Sequence, residues 1–322
     1  MQTIIDKKNL KKTTVQVSNR NHITHFIGNT PLLELKNISR QVTPVKIYAK
    51  AEWFNPGGSI KDRAALNMIR YAIKNGQLTA EKNILDATSG NTGIAYAMIG
   101  ASLGYRVTLC LPKNAGNIHK LIIRSFGAEI IFTDPMYGTD GAIKKVRELT
   151  KEYPDKYFYV DQYNNDNNWR AHYDGTGPEI IRQTHGDITH FVAGLGSSGT
   201  FVGTGRWLKK VNPEIQLISF QPDSPLHGME GMKHMETAMV PGIYDPALAD
   251  KNLEVSTEDA QEMVKLLAKK EGLLVGDSAG GALAAALQVA RELSRGMVVT
   301  VFPDSAYKYM GQSYWEDSDE TH

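Results

Sequence analysis

The sequence predicts an α/β protein built from two open, mostly parallel sheets flanked by helices, and three observations carry that expectation. Short apolar runs alternate with segments of helical period along almost the whole chain, and no two runs are joined by a hairpin turn. Several runs end in a glycine-bearing turn that opens directly into a helix, as in TSGNTG, GLGSSGT and GDSAGG. The chain has 322 residues, 41% apolar and 22% charged, which is enough for two domains or one large one with an ample core.

Taken in order, residues 1–22 are polar and unpatterned and read as a loosely ordered arm, or one draped over a partner subunit. IGNTPLLEL (27–35) is a turn leading into a short apolar run, and VKIYAKAEW (45–53) alternates like a strand. A helix follows, with Ala65, Met68, Ile69, Ala72 and Ile73 at its apolar spacing. NILDA (83–87) is a strand, TSGNTGIAYAMIGASLGY a turn and helix, RVTLCLP a strand, HKLIIRSFG a helix, AEIIFT a strand and GAIKKVRELTKEY a helix. The second half repeats the alternation. YFYVDQY is a strand, GPEIIRQT a helix begun by Pro178, THFVAGLGSSGT a strand running into a glycine loop, and IQLISFQ a strand. Residues 223–251 form a long loop rich in methionine and histidine, of a length usually kept for function. A helix over 257–271, a strand in LLVG, a helix over 278–293, the strand MVVTVFPD and an acidic tail complete the chain. The expected division is a large domain of 1–45 and 160–322 and a smaller one of 46–159.

Charge excludes some partners. The formal net charge is +1, which gives no reason to expect nucleic acid or an anionic membrane as partner, and no apolar run approaches the roughly 20 residues of a membrane span. The first residues, with Asp6, Lys7, Lys8, Lys11 and Lys12, lack the apolar core of a secretion signal, so a cytoplasmic protein is expected. Cys110 is the only cysteine, which leaves no disulfide and no paired-cysteine metal or redox site. No metal site is expected.

NPGGSIKDR (55–63) places a lysine where a charge is disfavoured. Ser59 reads as a helix N-cap, so Lys61 falls in the first helical turn, beside unpaired N–H groups and the positive end of the macrodipole. A neutral amine there is a nucleophile suited to Schiff-base formation with a carbonyl, above all the aldehyde of pyridoxal 5'-phosphate. The loop Gly194 to Thr200 is a phosphate site by its place between strand and helix, and two readings compete. Its GxGxxG spacing fits a dinucleotide such as NAD, whereas the hydroxyls of Ser197, Ser198 and Thr200 suit a terminal phosphate monoester. The TSGNTG turn (88–93) offers an anion pocket for an amino-acid carboxylate, with Asn91 able to reach a cofactor ring substituent, and Ser278 stands at a helix start in GDSAGG.

NPGGSIKDR, TSGNTG, the glycine-serine loop, HYDGTGPEI and EGLLVGDSAGG, in that order, resemble the O-acetylserine sulfhydrylase (cysteine synthase) family over about residues 27–310. The resemblance implies a fold-type II pyridoxal phosphate enzyme of the tryptophan synthase β-like kind. It implies that Lys61 binds the cofactor covalently and that Asn91 contacts its ring oxygen. It further implies that Gly196, Ser197, Ser198, Gly199 and Thr200 hold the phosphate and that Ser278 faces the pyridine nitrogen. Thr88, Ser89, Thr92 and Gln162 would hold the substrate carboxylate. A serine cannot keep the ring nitrogen protonated as a carboxylate would, which favours β-elimination to an aminoacrylate followed by addition of sulfur, with Lys61 as the base at Cα.

Some segments depart from the family pattern. Asp277 replaces an apolar residue before the pyridine serine, and its carboxylate is expected to point away from the ring. AGNIHK (115–120) and NNDNN (164–168) replace other family segments. HGMEGMKHMETAMVPGIYDP and DSAYKYM resemble the branch that uses O-phosphoserine and a thiocarboxylated carrier protein, with Lys233 near the substrate phosphate as an anion selector. The partners implied are a second copy of the chain, an amino-acid substrate, and a sulfur-carrier protein or serine acetyltransferase. The alternatives are cystathionine β-synthase or 2,3-diaminopropionate synthase activity and, from other classes, an NAD-binding oxidoreductase or an inactive binding paralogue.

Overall fold

The computed structural model describes residues 22–315, so the amino-terminal arm and the last of the acidic tail lie outside the described residues. The strands in chain order are β1 (Leu32–Glu34), β2 (Lys46–Ala51), β3 (Asn83–Ala87), β4 (Val107–Pro112), β5 (Glu129–Thr133), β6 (Tyr157–Tyr159), β7 (His190–Gly194), β8 (Gln216–Pro222), β9 (Lys251–Val255) and β10 (Met297–Phe302). The helices are α1 (Lys36–Ser39), α2 (Lys61–Lys74), α3 (Asn91–Leu103), α4 (Asn117–Ser125), α5 (Gly138–Glu152), α6 (Asp166–Ala171), α7 (Gly177–Gln183), α8 (Gly199–Val211), α9 (Thr257–Glu271) and α10 (Asp277–Glu292).

Two sheets result, as the alternation predicts. One has six strands in the order β1-β2-β10-β7-β8-β9, parallel except for β1, and the other four parallel strands in the order β5-β4-β3-β6. The central strands β3 and β4 are buried at every residue, Asn83, Asp86 and Thr108 included, whereas the edge strand β5 is partly exposed. Helix α10 is a thirteen-residue buried face of small residues, mostly alanine and glycine, packed with α9 against the larger sheet.

Several expectations differ from the structure. Strand β2 lies between β1 and β10 in the larger sheet, although the sequence placed everything from residue 46 in the smaller unit. The helix that follows crosses over: Ala65, Met68 and Ile69 of α2 pack with Ile84, Leu109 and α3 of the smaller sheet's core. Val275 makes only an isolated bridge to Ser305, where LLVG suggested a strand. Strand β9 went unpredicted because four of its five residues are not fully buried and carry little alternation. NNDNN (164–168), a departure from the family pattern in the sequence, leads into α6, capped by the Asn165 side chain accepting from the Asn167 N–H, and α6 runs into a π-helical turn at His172–Thr176.

Candidate active site

The carboxyl ends of β3, β7 and β10 point at one cleft, the usual position for a ligand in open parallel sheets. It has a volume of about 50 Å³ and is lined by Lys61, Asn91, Gly196, Thr200, Glu230 and Ser278 among others. Lys61 is the first residue of α2 and owes its place to a tether behind it: the Ile60 N–H donates to Pro303 O at 2.9 Å, and Ser59 bridges Asp304 just past β10. Ile60, not Ser59, occupies the N-cap position, although the Ser59 hydroxyl does accept from the Lys61 N–H at 3.3 Å. Burial pushes the Lys61 amine below its usual pKa, opposed by the Asp304 carboxylate. The expected shift is therefore present, with desolvation as its main cause rather than the helix end alone.

The loop after β7 turns sharply into α8, with Ser198 in the left-handed region at φ 66°. Among the described residues, no N–H from Gly196 to Thr200 is spent on a hydrogen bond within the fold. A Cβ on Gly196 would lie 2.2 Å from Gly231 O and one on Gly199 2.0 Å from Asn168 Oδ1, so only glycine permits this close backbone path. Asn168, from the unforeseen α6, also donates to Ser197 Oγ at 3.1 Å. The Thr200 hydroxyl lies 3.5 Å from His172 Nε2, a buried ring whose pKa burial drives far down.

In TSGNTG, the Thr88 hydroxyl accepts from the N–H groups of Gly90 and Gly93 at 3.1 and 3.2 Å, so it shapes the turn from inside. The Thr92 hydroxyl donates to Gln162 Oε1 at 3.0 Å, and Gln162 Nε2 donates to Ala87 O at 2.7 Å, which joins two of the predicted residues. Asn91 Nδ2 donates to Asp304 Oδ2 at 2.8 Å, and its Oδ1 accepts from Lys308.

These groups fit a pyridoxal phosphate: a desolvated amine and a helix-start serine share one cleft with Gly196 and Thr200, the two ends of a loop whose N–H groups are uncommitted among the described residues. The family profile described as "Pyridoxal-phosphate dependent enzyme" matches residues 23–304. The chain belongs to the pyridoxal-phosphate dependent enzyme family. Cysteine synthase of Aquifex aeolicus is 52% identical over 306 residues, covering 93% of this chain and 94% of that protein. The crystal structure of a cysteine synthase from Entamoeba histolytica has a TM-score of 0.88 at 32% identity, covering 100% of this chain and 96% of that one. An O-acetylserine dependent cystathionine beta-synthase from Helicobacter pylori has a TM-score of 0.85 at 36% identity, covering 92% and 98%. Membership in the pyridoxal-phosphate dependent family makes the cofactor pyridoxal phosphate rather than a dinucleotide.

Other predicted residues sit differently. Lys233 places its ammonium 3.4 Å from Asp140 Oδ1 and 5.0 Å from the Tyr163 ring centre, and it lines an outer cleft with Ser89 rather than the cavity around Lys61. Asp277 is turned toward Tyr314 and Gln312, away from the cleft, and burial raises its carboxyl to about 6. The sequence reading missed Glu230, His119, Asp304 and Lys308. DSAYKYM and AGNIHK had been singled out, but as a branch marker and as a departure; nothing local shows that residues 119 and 304–309 meet at Gly90 and Asn91. Among the described residues, no helix is long and apolar enough to cross a membrane.

Proposed function

We propose that this enzyme replaces the O-linked group of an activated L-serine with a sulfur nucleophile, forming L-cysteine. The observation that carries the reading is the shared cleft of the Lys61 amine and the open N–H loop at 196–200. Pyridoxal phosphate, when bound, supplies an electron-withdrawing ring that acidifies the substrate Cα proton and assists loss of the β-substituent. Lys61 would hold the cofactor covalently, and its Nζ is the base that would take the Cα proton and return it. Gly196, Ser197, Ser198, Gly199 and Thr200 grip the phosphate. Ser278 would face the ring nitrogen and Asn91 the ring oxygen, and Ser89, Thr92 and Gln162 would hold the substrate carboxylate, with Thr88 setting the turn.

O-acetylserine is the preferred donor in this reading. The phosphoserine branch rests on Lys233, whose ammonium is already paired with Asp140. The enzyme works as a cytoplasmic homodimer, and a sulfur-carrier protein or serine acetyltransferase is a candidate partner. The two functional units divide at the cleft, with β2 assigned to the larger one by its pairing. The test is to supply O-acetylserine, O-phosphoserine and L-serine in turn, each with sulfide or homocysteine, and to identify products by chromatography. Cysteine from O-acetylserine and sulfide is expected; cystathionine as the dominant product would replace this reading by its neighbour, and no sulfur product at all would end it.

A further inference from the structure

Two side chains beside Gly90, a buried histidine and a half-buried glutamate, carry buried polar atoms for which the described residues provide no partner. Among the described residues, both ring nitrogens of His119, a residue 1% exposed, and Oε1 of Glu230 are without hydrogen-bond partners. Native interiors rarely leave such groups unpaired, so each calls for an explanation. They converge on one place: the point where a Cβ on Gly90 would lie is 2.5 Å from Glu230 Oε1 and 3.0 Å from His119 Nε2. Gly90 stands between Ser89 and Asn91 in the substrate turn, and Glu230 lines both the Lys61 cavity and the outer cleft with Ser89. A group attached to a substrate's β-carbon, entering from that cleft, passes Glu230, and His119 stands on the same glycine.

The charges around them are Asp304 and Lys308 from the carboxy-terminal segment and Asp277 from α10. Burial first, then Asp304 and Asp277, raise Glu230 to about 7 against the pull of Lys308. Burial and Lys308 lower His119 to about 4, against Asp304, so its ring is neutral at pH 7 and can donate one hydrogen bond. A carboxyl poised near neutrality suits proton transfer in both directions.

We propose that Glu230 is the acid and base for the group on the substrate β-carbon, with His119 donating to the same oxygen, and that this pair extends the donor range to the bare hydroxyl of L-serine. The proposal rests on the β-replacement reading given above. As the Cβ–O bond breaks, its electron pair stays on oxygen and the Glu230 proton completes a water molecule. As the sulfur lone pair of the incoming thiol forms the Cβ–S bond, the S–H proton passes to the Glu230 carboxylate and restores the acid. An acetate leaving group departs as a stable anion and needs that proton far less.

The test compares the holoenzyme with Glu230→Gln, near-isosteric, and with His119→Asn as a second route should the first fold poorly. Cysteine formation from L-serine and from O-acetylserine is measured with sulfide. The ratio of serine to O-acetylserine turnover should fall roughly 100-fold in Glu230→Gln and in the same direction in His119→Asn. Wild-type serine turnover should decline as pH rises through about 7, while Glu230 loses its proton. Infrared difference titration of wild type against Glu230→Gln should show a protonated-carboxyl band disappearing near that pH. An unchanged ratio, wild type active on O-acetylserine but inert toward serine, or no band difference would each overturn the proposal. Wild type inert toward both donors would instead overturn the β-replacement reading, and the proposal with it.

Discussion

At the scale of single residues, Lys61 is held by its backbone and activated by its burial. The tether of Ile60 to Pro303 positions the first turn of α2, and loss of solvent pushes the amine toward its neutral form. Lys61→Ala should remain folded, lose cofactor labelling by borohydride, and lose activity by roughly 10²- to 10⁴-fold, the usual scale for a positioned proton-transfer group. Lys233 offers a contrasting case. Its ammonium faces Asp140, and steady-state kinetics of Lys233→Ala should show O-acetylserine and O-phosphoserine turnover changing by similar factors. A selective loss with phosphoserine would restore it as an anion selector.

At the scale of elements, a buried ionic network joins the end of β2 to α2 and α7. The Arg63 guanidinium makes paired contacts with Glu52, at 2.7 and 2.9 Å, and with Glu179, at 2.7 and 2.8 Å. Lys50 adds a 2.6 Å contact to Glu179. Arg63 sits two residues after Lys61, so the network fixes the helix that carries the proposed cofactor-binding amine. Removing one partner strands the others in a low dielectric, and Arg63→Met should cost roughly 3–5 kcal/mol in urea denaturation. Burial alone would raise the Glu179 carboxyl, but Arg63 and Lys50 bring it down to about 2 from an ordinary 4.5. The stability it contributes is complete above pH 4.5 and is lost as pH falls toward about 2. Denaturation midpoints of Glu179→Gln should therefore lack that part of the acid slope.

At the scale of the whole molecule, the cleft is assembled from both sheets. Asn91 and TSGNTG follow β3 of the smaller one, while residues 196–200 and 303–309 follow β7 and β10 of the larger. A ligand bound to all of them couples the two units. Stripping the cofactor should lower the melting temperature, since a ligand at 100 times its dissociation constant contributes about 2.7 kcal/mol. Scanning calorimetry before and after reconstitution with pyridoxal phosphate measures the effect. Equal melting temperatures would show that the cleft is not bridged.

The alternation of buried strands and helices, the turn chemistry of NPGGSIKDR and GLGSSGT, and the strand-to-helix position of TSGNTG are local properties, and local sequence by itself determined them. Burial patterns of period two or 3.6 and the preference of phosphate for open N–H groups act within a few residues. Pairing and proximity act across the chain, and only the tertiary structure decided them. β2 joins the larger sheet through β10, some 250 residues later, and Asp304 reaches Asn91 across 213 positions. His119 and Glu230 meet at Gly90 because α4 and the loop after β8 pack on the same turn. Their burial, and hence their protonation, is a property of that packing; no spacing in the sequence encodes a desolvation that arises only when distant segments exclude water together.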